Sequence, residues 1–339
     1  MRAGFESWLH RQWTKRGLLA WALSPLSLVF LAASRNRRAK IKPHRLPVPV
    51  VVVGNIYVGG TGKTPVTIAL VRELVKRGYT PGVVSRGFGR KDDLAQMVLP
   101  ESPASNVGDE PLLIARQTGV PVAVARDRVA AALLLLDKHP EIDLIISDDG
   151  LQHYALARDV ELAVVGARGL GNGWVLPAGP LREPPSRLDE VDAIVLNATE
   201  DTFDSRTPRF AVTAVLGAAR SLDGKRSRTL DEIATSGQSV LAAAGIAAPG
   251  RFFAMLRAHD IEGETMELGD HFAFDTNPFK NQPQEVILIT GKDAVKCRQH
   301  PELADDTRIY SVDYLVDIDP YLVDMIEHKL RTKVAGNGS

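Results

Sequence analysis

Along the first two hundred residues two periodicities take turns. "VPVVVVG" (48–54) is apolar at nearly every position and rich in β-branched side chains, which predicts a strand buried on both faces. A glycine-rich stretch follows. Then "TPVTIALVRELVKRG" places Val66, Leu70, Val71 and Leu74 at helical spacing, with Lys76 and Arg77 near the negative end and Gly78 as the stop. Further strands are predicted at "GVVS" (82–85), "PVAVA" (121–125), "DLIIS" (143–147), "VELAVVG" (160–166) and "AIVLN" (193–197). Helical patterns such as "RDRVAAALLLLDKH" lie between them. Strands and helices in alternation predict an α/β fold, a mainly parallel sheet wrapped by helices.

Past about residue 205 the rhythm changes. "RFAVTAVLGAARSL" reads as strand and linker, and "GKRSRTLDE" is polar. A second, smaller α/β unit is predicted from "SVLAAAGI", a helix "PGRFFAMLRAHD", a strand "EVILIT" and a last helix from Pro320 to Leu330. The boundary is expected within 220–236, dividing the chain into 41–225 and 226–339 with a substrate cleft between them.

Residues 1–40 form a third region. Gly17 to Ala33 carries no charge, is flanked by Arg11, Lys15 and Arg16 and by "RNRRAK", and contains Pro25. At about 1.5 Å per residue it barely crosses a hydrocarbon core of about 30 Å. Trp8, Trp13 and Trp21 cluster here, as tryptophan does at a lipid–water boundary. The basic flanks and tryptophans favour a membrane-associated helix contacting anionic lipid over a buried core helix or a secretory signal.

Composition narrows the partners. Lys+Arg and Asp+Glu are both 41, which gives no electrostatic reason to expect nucleic acid. Cys297 stands alone, so no intramolecular disulfide forms, and its spacing from the eight histidines suggests no zinc site. Nothing in the chain points to an obligate protein partner.

The glycine-rich stretch, "VGGTGKTP" after "VVVVGNIY", carries the chemistry. Gly59, Gly60, Thr61 and Gly62 let backbone N–H groups turn toward phosphate oxygens at a helix N-terminus. Lys63 reaches the β- and γ-phosphates of ATP, and the Thr64 hydroxyl suits Mg²⁺. Where the pattern G-x-x-x-x-G-K-[ST] starts with glycine, this chain has Tyr57. "DLIISDDGLQH" ends a buried strand in Asp148 and Asp149, one expected to face the metal and the other a neighbouring group. Asp109 in "NVGDEP" reads either as a helix N-cap or as a general base for a hydroxyl nucleophile. Asp270 and His271 in "LGDHFAF" form a candidate proton-transfer pair. Arg86, Arg90 and Arg182 lie in "SRGFGR" and "LPAGPLREP", where neighbouring glycine and proline can fix a guanidinium against phosphate.

Taken in order, "VGNIYVGGTGKTP", "SRGFGR", "VGDEP", "DDGLQH", "LPAGPLREP", "AAGIAAPGRFF", "GDHFAF" and "TGKDAVK" resemble the tetraacyldisaccharide 4'-kinase family. The resemblance implies phosphorylation, with ATP and Mg²⁺, of the 4'-hydroxyl of a tetraacyl disaccharide 1-phosphate. The product would be lipid IVA, in lipid A biosynthesis, at the cytoplasmic face of the bacterial inner membrane. It implies Asp109 as base with His271 as its partner, Asp148 and Asp149 as organisers of metal and site, and Arg182 as the arginine of L-R-E-P. Departures occur at Tyr57, Phe272 and Gly291, where the family commonly has serine or threonine, histidine and glutamate. The alternative class is a nucleotide-switch or partitioning ATPase. Its signature lysine would fall at Val58.

Overall fold

The structure, a computed structural model, describes residues 9, 11–90, 92–197, 203–246, 248–270 and 272–336. Strands of the first half are β1 (Val50–Gly54), β2 (Pro81–Ser85), β3 (Gln96–Val98), β4 (Val122–Val124), β5 (Leu144–Asp148), β6 (Val160–Gly166) and β7 (Ala193–Asn197). The second half adds β8 (Arg209–Ser221), β9 (Ser227–Arg228), β10 (Val240–Ala244), β11 (Glu264–Glu267), β12 (Val286–Thr290) and β13 (Ile309–Ile318). The longer described helices are α1 (Leu18–Lys40), α2 (Lys63–Lys76), α3 (Asp109–Thr118), α4 (Arg128–Lys138), α5 (Pro249–Arg257), α6 (Gly291–Cys297) and α7 (Pro320–Gly336).

All strands join one sheet in the order β11-β10-β12-β13-β8-β7-β6-β1-β5-β2-β4-β3, with β9 on β8. Pairing is parallel except at β3–β4, β8–β9 and β8–β13. The apolar run Val50–Val53 lies at the centre, between β5 and β6, and is buried throughout. Its side chains alternate between two cores on opposite sheet faces. Val51 and Val53 pack with Leu70 and Leu74 of α2, and Val50 and Val52 pack with Leu135 of α4. β1 leads through α2 to β2 on one side, whereas β5 leads to β6 on the other. The crevice at the carboxyl end of β1 is therefore the switch point of the sheet, where ligands bind in open α/β folds.

The stretch expected as strand plus linker is instead one thirteen-residue strand, β8. Its first residues, Arg209–Val212, pair in parallel with β7, and Val212–Ser221 pair antiparallel with β13. β8 thus runs past the carboxyl end of β7 and carries the second half beyond it. β10, β12 and β13 then run back toward the first half. Asn197 at the end of β7 aligns with Val212, and Thr290 at the end of β12 aligns through Val312 with Ala219. At ~3.3 Å per residue the two sets of carboxyl ends face each other across roughly 20 Å.

The last helix leaves the second half. Leu322, Val323, Ile326 and Leu330 of α7 belong to the core cluster of α2, and Arg77 at the end of α2 pairs with Asp324 and Glu327. Apolar residues at this spacing form one helical stripe, which explains why α7 docks along that face. Ile326→Ala removes a fully buried side chain from this seam. It should lower unfolding free energy by about 2–5 kcal/mol, read as a lower denaturant midpoint. An unchanged midpoint would mean that α7 adds nothing to the core.

Candidate active site

The glycine loop leaves β1 at the switch point and enters α2. Gly62 is its N-cap, at φ 82°, and Gly59 lies at φ 105°. A Cβ on Gly62 would sit 1.9 Å from Asn197 Nδ2, so the position excludes any side chain. Asn197 donates to the Thr61 carbonyl at 3.0 Å, and Asn55 donates to Thr61 Oγ1 at 3.0 Å, which ties the loop to β7 and β1. Lys63 and Thr64 are nearly buried in the first turn of α2. Tyr57 stands where this loop has no call for a glycine. It is extended, buried, and bridged to Leu181, and the neighbouring Val58 N–H donates to the Pro180 carbonyl at 2.9 Å. "LPAGPLREP" therefore lies along the loop entrance as a strap.

That strap meets the paired aspartates. Asp148 ends β5, fully buried, and accepts hydrogen bonds from Thr67 at 2.9 Å and Ser85 at 3.5 Å. Asp149 leaves the strand in the left-handed region at φ 49°, so the turn rather than the pleat separates the two carboxylates. Its carbonyl accepts from Arg128 at 3.1 Å, and its carboxylate lies 3.5 Å from Lys63 Nζ and 3.4 Å from Arg182. Gln152 joins the group. It accepts from Arg182 at 3.2 Å and donates to Glu183 at 2.8 Å and to the Asn55 carbonyl at 2.9 Å. Three sequence motifs and Arg128 thus become one polar network around Asp149.

The environments of the two aspartates differ. Burial tends to raise Asp149, but Lys63, Arg182 and Arg128 together hold it below the usual carboxylate range. Burial, then repulsion from Glu110 and Asp149, pushes Asp148 up to about 7 against the pull of Lys63 and Thr67. A carboxyl so short of positive charge suits an added cation. The described residues contain no group of three His, Cys, Asp or Glu side chains that could cage a metal alone. A nucleotide-borne Mg²⁺ needs only one or two carboxylates beside phosphate oxygens, and that smaller donor set fits Thr64 and Asp148.

Asp109 is the first residue of α3. The N-cap is Gly108 at φ 93°, so Asp109 does not serve as cap. Its carboxylate lies 3.3 Å from Lys296 Nζ of α6, a contact between the two halves. Lys292, also on α6, lies 3.6 Å from Asp270 and 3.8 Å from Glu110. "GDEP", "GDH" and "GKDAVK" therefore converge, while His271 itself lies outside the described residues. Arg86 is exposed just past the end of β2, and its charge reaches Arg128. A cavity of about 270 Å³ is lined by the loop from Gly60 to Thr64, Glu110, Asn197, Arg251 and Lys292, whereas Asp109, Asp148, Asp149, Arg86 and Arg182 lie outside its lining. Sequence reasoning missed Glu110, Lys292, Lys296, Asn197 and Arg251 as site residues. Glu110 adjoins Asp109 in its motif and Asn197 ends a predicted strand, but neither shows in sequence that the two halves face each other.

The raised Asp148 has a measurable consequence. Its ordinary value is 3.8, so between about pH 4 and about 7 the folded chain keeps a proton that the unfolded chain has released. The stability this group contributes therefore falls as pH rises through that window. For nucleotide-free protein, the melting temperature of the wild type relative to Asp148→Asn should drop from about pH 5 to about pH 7.5. Parallel profiles would show that the carboxyl is not displaced.

A family model described as tetraacyldisaccharide-1-P 4'-kinase matches residues 19–331. A tetraacyldisaccharide 4'-kinase of Janthinobacterium sp. (strain Marseille) is 50% identical over 340 residues, covering 97% of both chains. One from Herminiimonas arsenicoxydans is 48% identical over 345 residues with the same coverage. The crystal structure of LpxK from Aquifex aeolicus in complex with ATP superposes with a TM-score of 0.77 at 27% identity, covering 92% of this chain and 100% of that one. With a glycine-rich loop, paired aspartates and a cleft between facing strand ends in one architecture, the chain belongs to the tetraacyldisaccharide-1-P 4'-kinase family.

Proposed function

We propose that the chain transfers the γ-phosphoryl group of ATP to the 4'-hydroxyl of a tetraacylated disaccharide 1-phosphate, a step of lipid A synthesis. The observation that carries this reading is the cleft itself. It opposes a phosphate loop in one half to a set of lysines and carboxylates bridging to the other. Units 41–225 and 226–339 are the two walls. Gly59, Gly60, Thr61 and Gly62 cradle the phosphates, and Lys63 neutralises charge on the transferring oxygens. Asp149 holds Lys63 and Arg182 in place. Arg86 and Arg182 take phosphate groups of the ligands.

Mg²⁺, held by Thr64 and Asp148, would supply further neutralisation of phosphate charge. Asp109, tuned by His271, accepts the proton of the sugar hydroxyl. Lys296, 3.3 Å from its carboxylate, holds the base in place. The switch-ATPase alternative has little support: Val58 stands in place of its lysine, and its backbone is held to the strap. Incubation with labelled ATP and the tetraacyldisaccharide 1-phosphate in detergent micelles should transfer label to the lipid. Asp109→Asn should lower kcat about 10²–10⁴-fold while leaving ATP affinity near that of the wild type. Unimpaired turnover by that variant would remove Asp109 from the mechanism.

The N-terminal helix supports placement at the cytoplasmic face of the bacterial inner membrane. α1 is long and apolar enough to cross a bilayer, but one side is docked. Ser27 donates to the Val175 carbonyl at 2.9 Å and accepts from the Ala178 N–H at 3.0 Å, and Phe30 and Leu31 pack on the core. The other side exposes Leu18, Trp21, Leu26, Leu28 and Val29. A helix docked along one face lies in the interface, with its apolar face to lipid. Trp21→Glu with Leu28→Glu should shift the protein from anionic vesicles to the supernatant on sedimentation, with kinase activity on micellar substrate falling far less. Full retention on vesicles would sink this placement.

A further inference from the structure

Next to the nucleotide cleft, sharing Leu113, Gln117 and Gly291 with its wall, lies a second cavity of about 130 Å³. Four guanidiniums line it, from four different segments: Arg72 of α2, Arg116 of α3, Arg220 of β8 and Arg298 just past α6. Asp313 is the single carboxylate among the lining residues. It sits where the β8–β13 register slips, and its hydrogen bond comes from the Gln117 amide at 2.8 Å. Three of the arginines donate to main-chain carbonyls: Arg72 to Gln117, Arg116 to Pro100 and Val295, and Arg298 to Leu222. These bonds satisfy N–H groups but cancel no charge.

Such an arrangement is unfavourable as it stands. Burial and then the charge of Arg298 hold Arg116 below its ordinary value, and burial does the same to Arg298 against the pull of Asp313, one carboxylate shared among Arg72, Arg220 and Arg298. Guanidinium forks from several directions around a small enclosed space match the oxygens of a tetrahedral anion. We propose that this cavity is a second anion site, taking a soluble phosphate-class oxyanion such as inorganic phosphate or a phosphate monoester. The inference stands apart from the kinase reading. It goes beyond the nucleotide loop in one further respect: a bound anion would bridge α2 and α3 of one half to β8 and α6 of the other.

The side of the sheet favours a soluble source over a lipid headgroup. Leu113 and Val295 of this cavity pack with the core that contains Val51 and Val53. Phe30 and Leu31 of the apolar helix α1 pack with the core that contains Val50 and Val52, on the opposite face.

The test is equilibrium dialysis of labelled inorganic phosphate with the full chain, in excess non-hydrolysable ATP analogue. Arg220 is exposed, so substituting it leaves the core intact. Saturable binding should persist with the analogue present and in Lys63→Ala, weaken at least about tenfold in Arg220→Glu, and be largely kept in Arg220→Lys. The proposal is overturned by an absence of binding, by displacement by the analogue, or by Arg220→Glu behaving like the wild type. Displacement of phosphate by phosphatidylglycerol vesicles would overturn the soluble assignment and identify a lipid headgroup instead.

Discussion

The antiparallel pairing of β8 with β13 sets the geometry of everything else. Two half-sheets in simple parallel continuation would open their carboxyl ends in the same direction. Here one long strand carries the second half beyond the first and turns its strands around. Each half thus presents its strand ends to the other, and the N-terminal turn of α3 meets α6 through Lys292 in its first turn and Lys296 in its last. Loops that start on remote strands become opposite walls of one cleft. Motifs separated by nearly two hundred residues, from Asp109 to Lys296, come into contact as a result.

Within that frame the two neighbouring aspartates are kept chemically distinct by backbone conformation. A plain extended strand would place Asp148 and Asp149 on opposite faces of the sheet. The left-handed turn at Asp149 instead brings its carboxylate into a ring of cations while Asp148 stays buried among hydroxyls. The strain at Asp149 is offset by Arg128, Lys63 and Arg182, all of which require its present position. One position organises cations and the other lacks one.

Much of the first half was legible in sequence because its strands are short apolar runs with no polar position to confuse the period. β1, β2, β4, β5, β6 and β7 fall where "VPVVVVG", "GVVS", "PVAVA", "DLIIS", "VELAVVG" and "AIVLN" place them. The loop was legible because glycine, lysine and threonine are locally required by its geometry. β13 was missed because "IYSVDYLVDI" mixes polar residues into an edge-like pattern, and its role depends on pairing with β8 far away in sequence. The same reason hid Lys296 and Glu110, whose significance lies across the cleft. Tyr57 was a departure in the motif and became intelligible only once the strap beside it was visible, since a bridged, extended residue needs no glycine.

The return of α7 to the first half bears on how the chain is made. Four apolar residues between 322 and 330 complete the core around α2, the helix whose first turn carries Lys63 and Thr64. During synthesis the nucleotide-binding half emerges long before them, with the α2 face still open to water. That half buries its α2 face only after the ribosome has built the other. Maturation of the phosphate loop is thereby tied to completion of nearly the whole chain, and a truncated product would leave a greasy seam for chaperones or proteases to recognise.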